Sequence, residues 1–230
     1  ENHRVSILLR PTSDPRFIAG HLAEVRVTYG SVNDDPRRLT AAMGDAEVVI
    51  HCAGVTKALG PADFYRTNQA GTRNVVAAAN ACAESLQHLI HISSQAVSGP
   101  GTVDRPVEET DAPRPLTAYG RSKLLGETHV RQHCRIPWTV LRPAAVYGPR
   151  DTDFLAVFQT VKRRLMPLTA GPRRAVNLVY GPDVAAAALL CAMQAQAMGN
   201  IYHVAAEPVC SDLELMQEIA AQLGLRPLRL

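Results

Sequence analysis

No two of the five cysteines stand at CxxC spacing, and none falls into a zinc-finger arrangement. That argues against a dithiol redox pair and against a metal site. Cys52, Cys82, Cys134, Cys191 and Cys210 lie largely within apolar runs, so buried thiols in a reducing compartment are expected. No apolar run reaches the ~20 residues that a membrane-spanning helix needs, and no stretch reads as a signal peptide. A cytoplasmic protein with no membrane partner is therefore expected. No tract of Lys and Arg with interleaved aromatics occurs, aromatics make up only 5% of the chain, and the net charge is +3. Nucleic acid is not an expected partner. Internal repeats and low-complexity tracts are also missing.

What is present is ordinary for a globular chain: 230 residues, 47% hydrophobic and 20% charged. That length suits one large domain, alone or with a small appendage, and can bury a useful core. Short apolar runs alternate with helical patterns. Residues 5–9, 25–29, 47–52, 86–92, 138–141, 176–179 and 201–204 read as strands. Helices are expected over 36–44, 62–83, 117–134, 154–165, 184–198 and 211–223, with Gly44 as a C-terminal stop and Asp183 and Ser211 as caps. The fifth of these strands should stop at Arg142-Pro143, and the Pro-rich stretch 99–115 should be loop. Strands alternating with helices indicate an α/β fold built on a parallel sheet covered on both faces. Ligands bind such sheets beyond the carboxyl ends of the strands. The distinctive residues stand there: Ala53-Gly54, Ser94 and Pro143 each follow a strand.

Tyr119-Gly120-Arg121-Ser122-Lys123 carries the strongest chemical signal. Tyr and Lys four apart on a helix share one face. A free tyrosine, with a pKa near ~10, is a poor acid or base at neutral pH. A neighbouring ammonium favours its phenolate, and the pair can then move a proton to or from a carbonyl or hydroxyl. Alone, the spacing fits a solvated helix face equally well.

The context decides. Ile92-Ser93-Ser94-Gln95-Ala96-Val97-Ser98-Gly99, followed by Ala118-Tyr119-Gly120-Arg121-Ser122-Lys123, resembles the catalytic region of extended short-chain dehydrogenases/reductases of the epimerase-like kind. The resemblance implies that Ser94 positions a substrate oxygen, with Ser93 its nearest rival. It makes Tyr119 the acid/base, and has Lys123 tune Tyr119 and hold the nicotinamide ribose. Val49 to Gly54 is similar to the family's strand and small-residue turn, so Ala53 and Gly54 should lie against the cofactor; His51 reads as a core histidine. Asn68-Gln69-Ala70-Gly71-Thr72 resembles the family's Asn-x-x-Gly-Thr, in which the Asn steadies the active-site backbone. Leu141 to Pro149 resembles the segment whose backbone contacts the carboxamide, here through Pro143 and Val146. Residues 174–185 are similar to the later strand-turn-helix bordering substrate.

By the same resemblance the fold is a Rossmann-like doubly wound parallel sheet with a small C-terminal substrate-binding part. Residues 1–150 would form the NAD(P)-binding and catalytic domain. Residues 151–230 would form a partial substrate region interleaved with the last strand and helices. Three departures matter. The family's first strand and glycine-rich turn, which place a helix N-terminus on the pyrophosphate, are not found. The chain reads as beginning at the second strand, so a longer native protein is expected to supply the central strand that joins the two halves of the sheet. Gly30-Ser31-Val32 stands where the family often has Gly-Asp and an aliphatic residue, so Ser31 and Val32 should meet the adenine through backbone and a weak hydroxyl contact. Gln95-Ala96 replaces the Asp-Glu of sugar-nucleotide dehydratases, which argues against dehydration.

Cofactor preference is expected in the loop after the first strand, where Arg10 favours NADP over NAD while Asp14 pulls the other way. Lys162, Arg163, Arg164, Arg173 and Arg174 flank the substrate region and fit either an anionic ligand or an exposed face. The implied activity is hydride exchange between a nicotinamide and a secondary alcohol or ketone. A nucleotide-sugar epimerase with tightly held NAD, or a non-catalytic NAD(P)H sensor, are the alternatives. The intact Ser94, Tyr119 and Lys123 speak against the sensor. Relatives often dimerise through the two long helices, and the small and apolar residues of 62–83 and 117–134 permit a homodimer.

Overall fold

The computed structural model describes residues 3–102, 105–165, 175–207 and 209–225. β1 (Ser6–Leu9) and β2 (Arg26–Tyr29) form a parallel pair with Ile7 opposite Val27. β3 (Val48–His51), β4 (His88–Ile92), β5 (Trp138–Pro143) and β9 (Ile201–Val204) form an all-parallel sheet in that order. Buried on both faces, β4 and β5 are nearly continuous apolar runs, as central parallel strands require.

Alternation along β4 distributes the two cores. Leu89 packs with Leu39, Val75, Val76, Ala78 and Val130. These come from α1 (Pro36–Met43), α3 (Thr72–Ala81) and α4 (Ala118–His133). Ile90 points the other way, joining Leu141, Ala188 and Cys191; the last two belong to α6 (Gly181–Met193). Helices therefore cover both faces, and the doubly wound Rossmann-like arrangement is present. Among the described residues no hydrogen bond joins the β1–β2 pair to the larger sheet, which is where the sequence leads one to expect a central strand. Ile50 of β3 is 41% exposed.

Past residue 150 the chain returns to the main sheet through α6 and β9, and also forms its own small cluster. α5 (Thr152–Lys162) and α7 (Asp212–Gln222) share Val161, Met216, Ile219 and Ala220. β6 (Ala145–Tyr147) pairs in parallel with β8 (Leu178–Tyr180), and β7 (Ala175–Val176) antiparallel with β10 (Cys210–Ser211).

Several boundaries differ from the sequence reading. The pattern over 62–83 is not one α-helix: α2 (Pro61–Phe64) passes into a π-helix (Tyr65–Gly71) before α3 begins. β5 does not stop at Arg142 but runs through Pro143, because the guanidinium finds a buried carboxylate. The N-cap of α6 is Tyr180 rather than Asp183, since Pro182 already suits the first turn. Ser211 does cap α7, in a reciprocal capping box with Glu214. Gly44 ends α1 at φ 56°. Cys52 is exposed rather than buried; it sits at the open end of β3. No helix among the described residues is long and apolar enough to cross a membrane.

Candidate active site

β4 ends in Ser93 and Ser94, and the chain turns there into a short 3-10 helix (Gln95–Val97). Ser94 caps that turn, its Oγ accepting from the Ala96 amide at 3.2 Å. Tyr119 sits in the first turn of α4, which Thr117 caps by accepting from the Gly120 amide at 3.0 Å. Gly120 allows α4 to lie close to the Ser94 turn: a Cβ there would come within 2.5 Å of the Ala96 carbonyl oxygen. This approach sets the Tyr119 hydroxyl near enough to the Ser94 side chain for the serine to favour its phenolate. Phe64 meets the Tyr119 ring edge-on, with centroids 5.9 Å apart.

Lys123 follows one turn later, 4% exposed, and its Nζ donates to the Ile92 carbonyl at 2.7 Å. Asn68 lies in the π-helix, fully buried. Its amide accepts from the Val55 amide at 2.8 Å and donates to the Val55 carbonyl and to Ser122 Oγ, each at 3.0 Å. Ser122 Oγ in turn donates to the Tyr119 carbonyl at 2.7 Å. Gly126 permits this contact, since a Cβ there would reach 2.4 Å from the Asn68 carbonyl oxygen. Asn68 thus ties the loop after β3 to the helix that bears Tyr119 and Lys123. Ala53 and Gly54 are exposed in that loop. A Cβ on Gly54 would lie 3.8 Å from Lys123 Nζ, so backbone lines the space beside the amine.

The sequence therefore named a set that the fold brings together: Ser94, Tyr119, Lys123, Asn68 and Gly54, at the carboxyl ends of β3 and β4. Pro143 ends the adjacent β5, and Val146 is partly exposed in β6. Arg10 and Ser31 follow β1 and β2, at the ends of the separate pair. Val32 is different. Its side chain is core, packed against Gly71, and only its backbone could meet a ligand. Arg10 is exposed, while Asp14 is engaged by Arg16 at 3.1 Å. Lys162, Arg163 and Arg164 are exposed; Arg173 and Arg174 lie outside the described residues. A surface groove of about 440 Å³ beside Tyr65, Arg73 and His129 contains none of the site residues.

Sequence reasoning missed a buried polar layer beneath the site. Glu127, 0% exposed, accepts from Arg142 Nη2 at 2.6 Å and from Nε at 3.0 Å. Ser93 Oγ also donates to Glu127, at 3.1 Å. His51 is buried, as a core histidine should be, and is bonded to Thr72 at 2.9 Å. Its ring lies 5.1 Å from that of His91, whose two ring nitrogens have no hydrogen-bond partner. The readable signals were an Arg inside an apolar strand and a Glu one turn beyond Lys123 on the same helix face.

Burial dominates the electrostatics. It pushes the Lys123 amine down to about 8, opposed by the Glu127 carboxylate and then Cys52. It pushes Tyr119 up, only partly offset by the Ser94 side chain. The expectation that the lysine would lower the tyrosine therefore does not hold in this state, in which Lys123 is bonded to Ile92. Burial holds His51 down at about 3 and His91 well below its ordinary value, with the Lys123 charge adding to both.

Those histidines give a stability prediction. Below about 6.5 the unfolded chain takes up protons that the native His51 refuses until about 3, so unfolding is favoured as pH falls. Each such histidine should remove about 1.4 kcal/mol of stability per pH unit across its window. Urea midpoints measured from pH 7 to 4 should fall steadily from about 6.5 downward. A flat profile would show that the native state accommodates the charged imidazoles.

Comparison with known proteins identifies the family and the fold. Residues 30–230 match the family described as the RmlD substrate binding domain. The chain is similar to a ceramide reductase of Caulobacter vibrioides, 35% identical over 71% of this chain and 45% of that protein. It is also similar to a dTDP-4-dehydrorhamnose reductase of Mycobacterium tuberculosis, 31% identical over 85% of this chain and 65% of that protein. The chain thus spans less than two thirds of either relative. The fold is shared with the Bordetella bronchiseptica enzyme WbmG, solved in complex with NAD and UDP. The TM-score is 0.83 at 23% identity, over 99% of this chain and 73% of that one.

Proposed function

The chain belongs to the RmlD substrate binding domain family, among proteins of the extended short-chain dehydrogenase/reductase type, and from that premise we propose that it serves an NAD(P)-dependent ketone reductase. The observation that carries the proposal is the pairing of Ser94 with Tyr119, one helical turn before a buried Lys123, at the carboxyl end of β4. The reductase direction is favoured over epimerisation because the two curated relatives named above are reductases.

The residues present fit a nicotinamide. Gly54 leaves the space beside Lys123 lined by backbone, where a Cβ would intrude between Asn68 and the amine. Lys123 and the backbone at 53–54 would hold the ribose, and Pro143 and Val146 the carboxamide side. A nicotinamide bound there supplies the hydride. Ser94 would hold the substrate carbonyl oxygen, and Tyr119 would deliver a proton to that oxygen as the carbonyl becomes an alcohol. Burial keeps Tyr119 protonated, as an acid must be before it acts. Lys123 would supply the positive charge beside the phenolate that remains. NADP is favoured over NAD because Arg10 is free to meet a 2′-phosphate, whereas Asp14 is occupied by Arg16.

Calorimetric titration of the native protein with NADPH and NADH tests the reading. Binding is expected, tighter for NADPH, with Arg10→Ala removing the difference. If neither nucleotide binds, the reductase proposal fails.

A further inference from the structure

Glu127 has no part in the proton relay just described, yet it is among the most thoroughly enclosed groups in the molecule. A buried carboxylate is retained only where its surroundings compensate its desolvation. Arg142 of β5 grips both of its oxygens, at 2.6 and 3.0 Å. Ser93, the residue immediately before Ser94, donates to it at 3.1 Å. Lys123, one turn earlier on α4, binds the carbonyl of Ile92 at 2.7 Å. Two consecutive residues at the end of β4 are therefore held by two side chains four apart on one helix, directly before the serine that meets Tyr119.

We infer that Glu127 is a positioning residue: its carboxylate, locked between Arg142 and Ser93, sets a negative charge one helical turn beyond the Lys123 amine and fixes the β4 terminus against Tyr119. The inference rests on the reading of Tyr119 and Lys123 as the proton-handling pair. The charges around Lys123 make Glu127 decisive. From its own helix the amine meets the charge of Glu127; from β3 it interacts with His51 and Cys52, and from β4 with His91. The two histidines are neutral where the amine titrates, so burial is what opposes its charge. Glu127 is the leading group acting the other way. Around Glu127 itself stand Arg131 of α4 at 3.9 Å, Arg142 of β5 and, across from them, His203 of β9 with Glu109 on its amide.

Removing the carboxylate charge should let Lys123 lose its proton at lower pH. In the native protein, Glu127→Gln is expected to move the high-pH fall of kcat/KM downward by about one pH unit or more. Glu127→Asp should recover part of the shift. In parallel, NMR of 13C-labelled lysine should show the Lys123 signal titrating at lower pH in the Gln variant, a readout independent of turnover. Should Glu127→Gln fail to fold, the charge-free pair Glu127→Gln/Arg142→Met carries the test, with a smaller downward shift expected because a positive charge leaves together with the negative one. Unchanged Lys123 titration in a folded variant overturns the inference. If Tyr119→Phe retains full turnover while the Lys123 signal still moves, the catalytic reading is lost and only the Glu127–Lys123 coupling stands.

Discussion

Replacing Tyr119 by phenylalanine is expected to lower kcat by about 100- to 10,000-fold, the usual contribution of a positioned acid or base. The substitution removes one oxygen and little else. The ring keeps its edge contact with Phe64, and the bond from the Ser122 hydroxyl to the Tyr119 carbonyl remains. The loss should fall on the chemical step. Nicotinamide affinity should stay within a few-fold, because Lys123 and the 53–54 backbone are untouched. Single-turnover kinetics with saturating cofactor separates the two effects. A phenylalanine variant that turns over at the original rate would remove Tyr119 from the reaction and leave Ser94 and Lys123 without a proton donor between them.

Arg142→Met should destabilise the fold by about 3–5 kcal/mol, the range seen when one partner of a buried ion pair is removed. Arg142 is 1% exposed and Glu127 is fully enclosed, so the remaining carboxylate would lose its bidentate partner and keep the Ser93 hydroxyl at 3.1 Å and the more distant Arg131 at 3.9 Å. Adding Glu127→Gln should restore much of the loss, because the buried charge then disappears along with its partner. Guanidinium unfolding of the single and double variants measures both numbers. A single variant that loses less than about 1 kcal/mol would show that water reaches Glu127. The exposed pairs Arg4–Asp45 and Lys57–Asp153 are of another kind, and their loss should scarcely move the midpoint.

The two predictions differ in how visible their residues were. Tyr119, Lys123 and Ser94 could be read because their spacing is local and each follows a strand or opens a helix. The sheet was legible for the same reason: apolar runs such as His88–Ile92 need no knowledge of distant partners. Glu127 and Arg142 depend on each other across the sheet–helix interface. An Arg followed by Pro inside an apolar run looks like a strand end until the carboxylate opposite it is known. Val32 was expected to meet the cofactor through its backbone; that its side chain packs against Gly71 depends on a helix 39 residues away and was not legible. The π-turn escaped because its apolar spacing suits an α-helix equally well.

That turn fixes a length. A π segment behaves as an α-helix with one residue inserted, and here the inserted residue sets the direction of Asn68. Shortening 65–71 by one would let the segment close as a more regular helix and would turn the residues within it, Asn68 included, in new directions. The Asn68 amide could then no longer face Val55 and Ser122 together. Length variation among homologues is accordingly expected in loop positions such as 105–112 and excluded from this one turn, where a better helix would misplace Asn68.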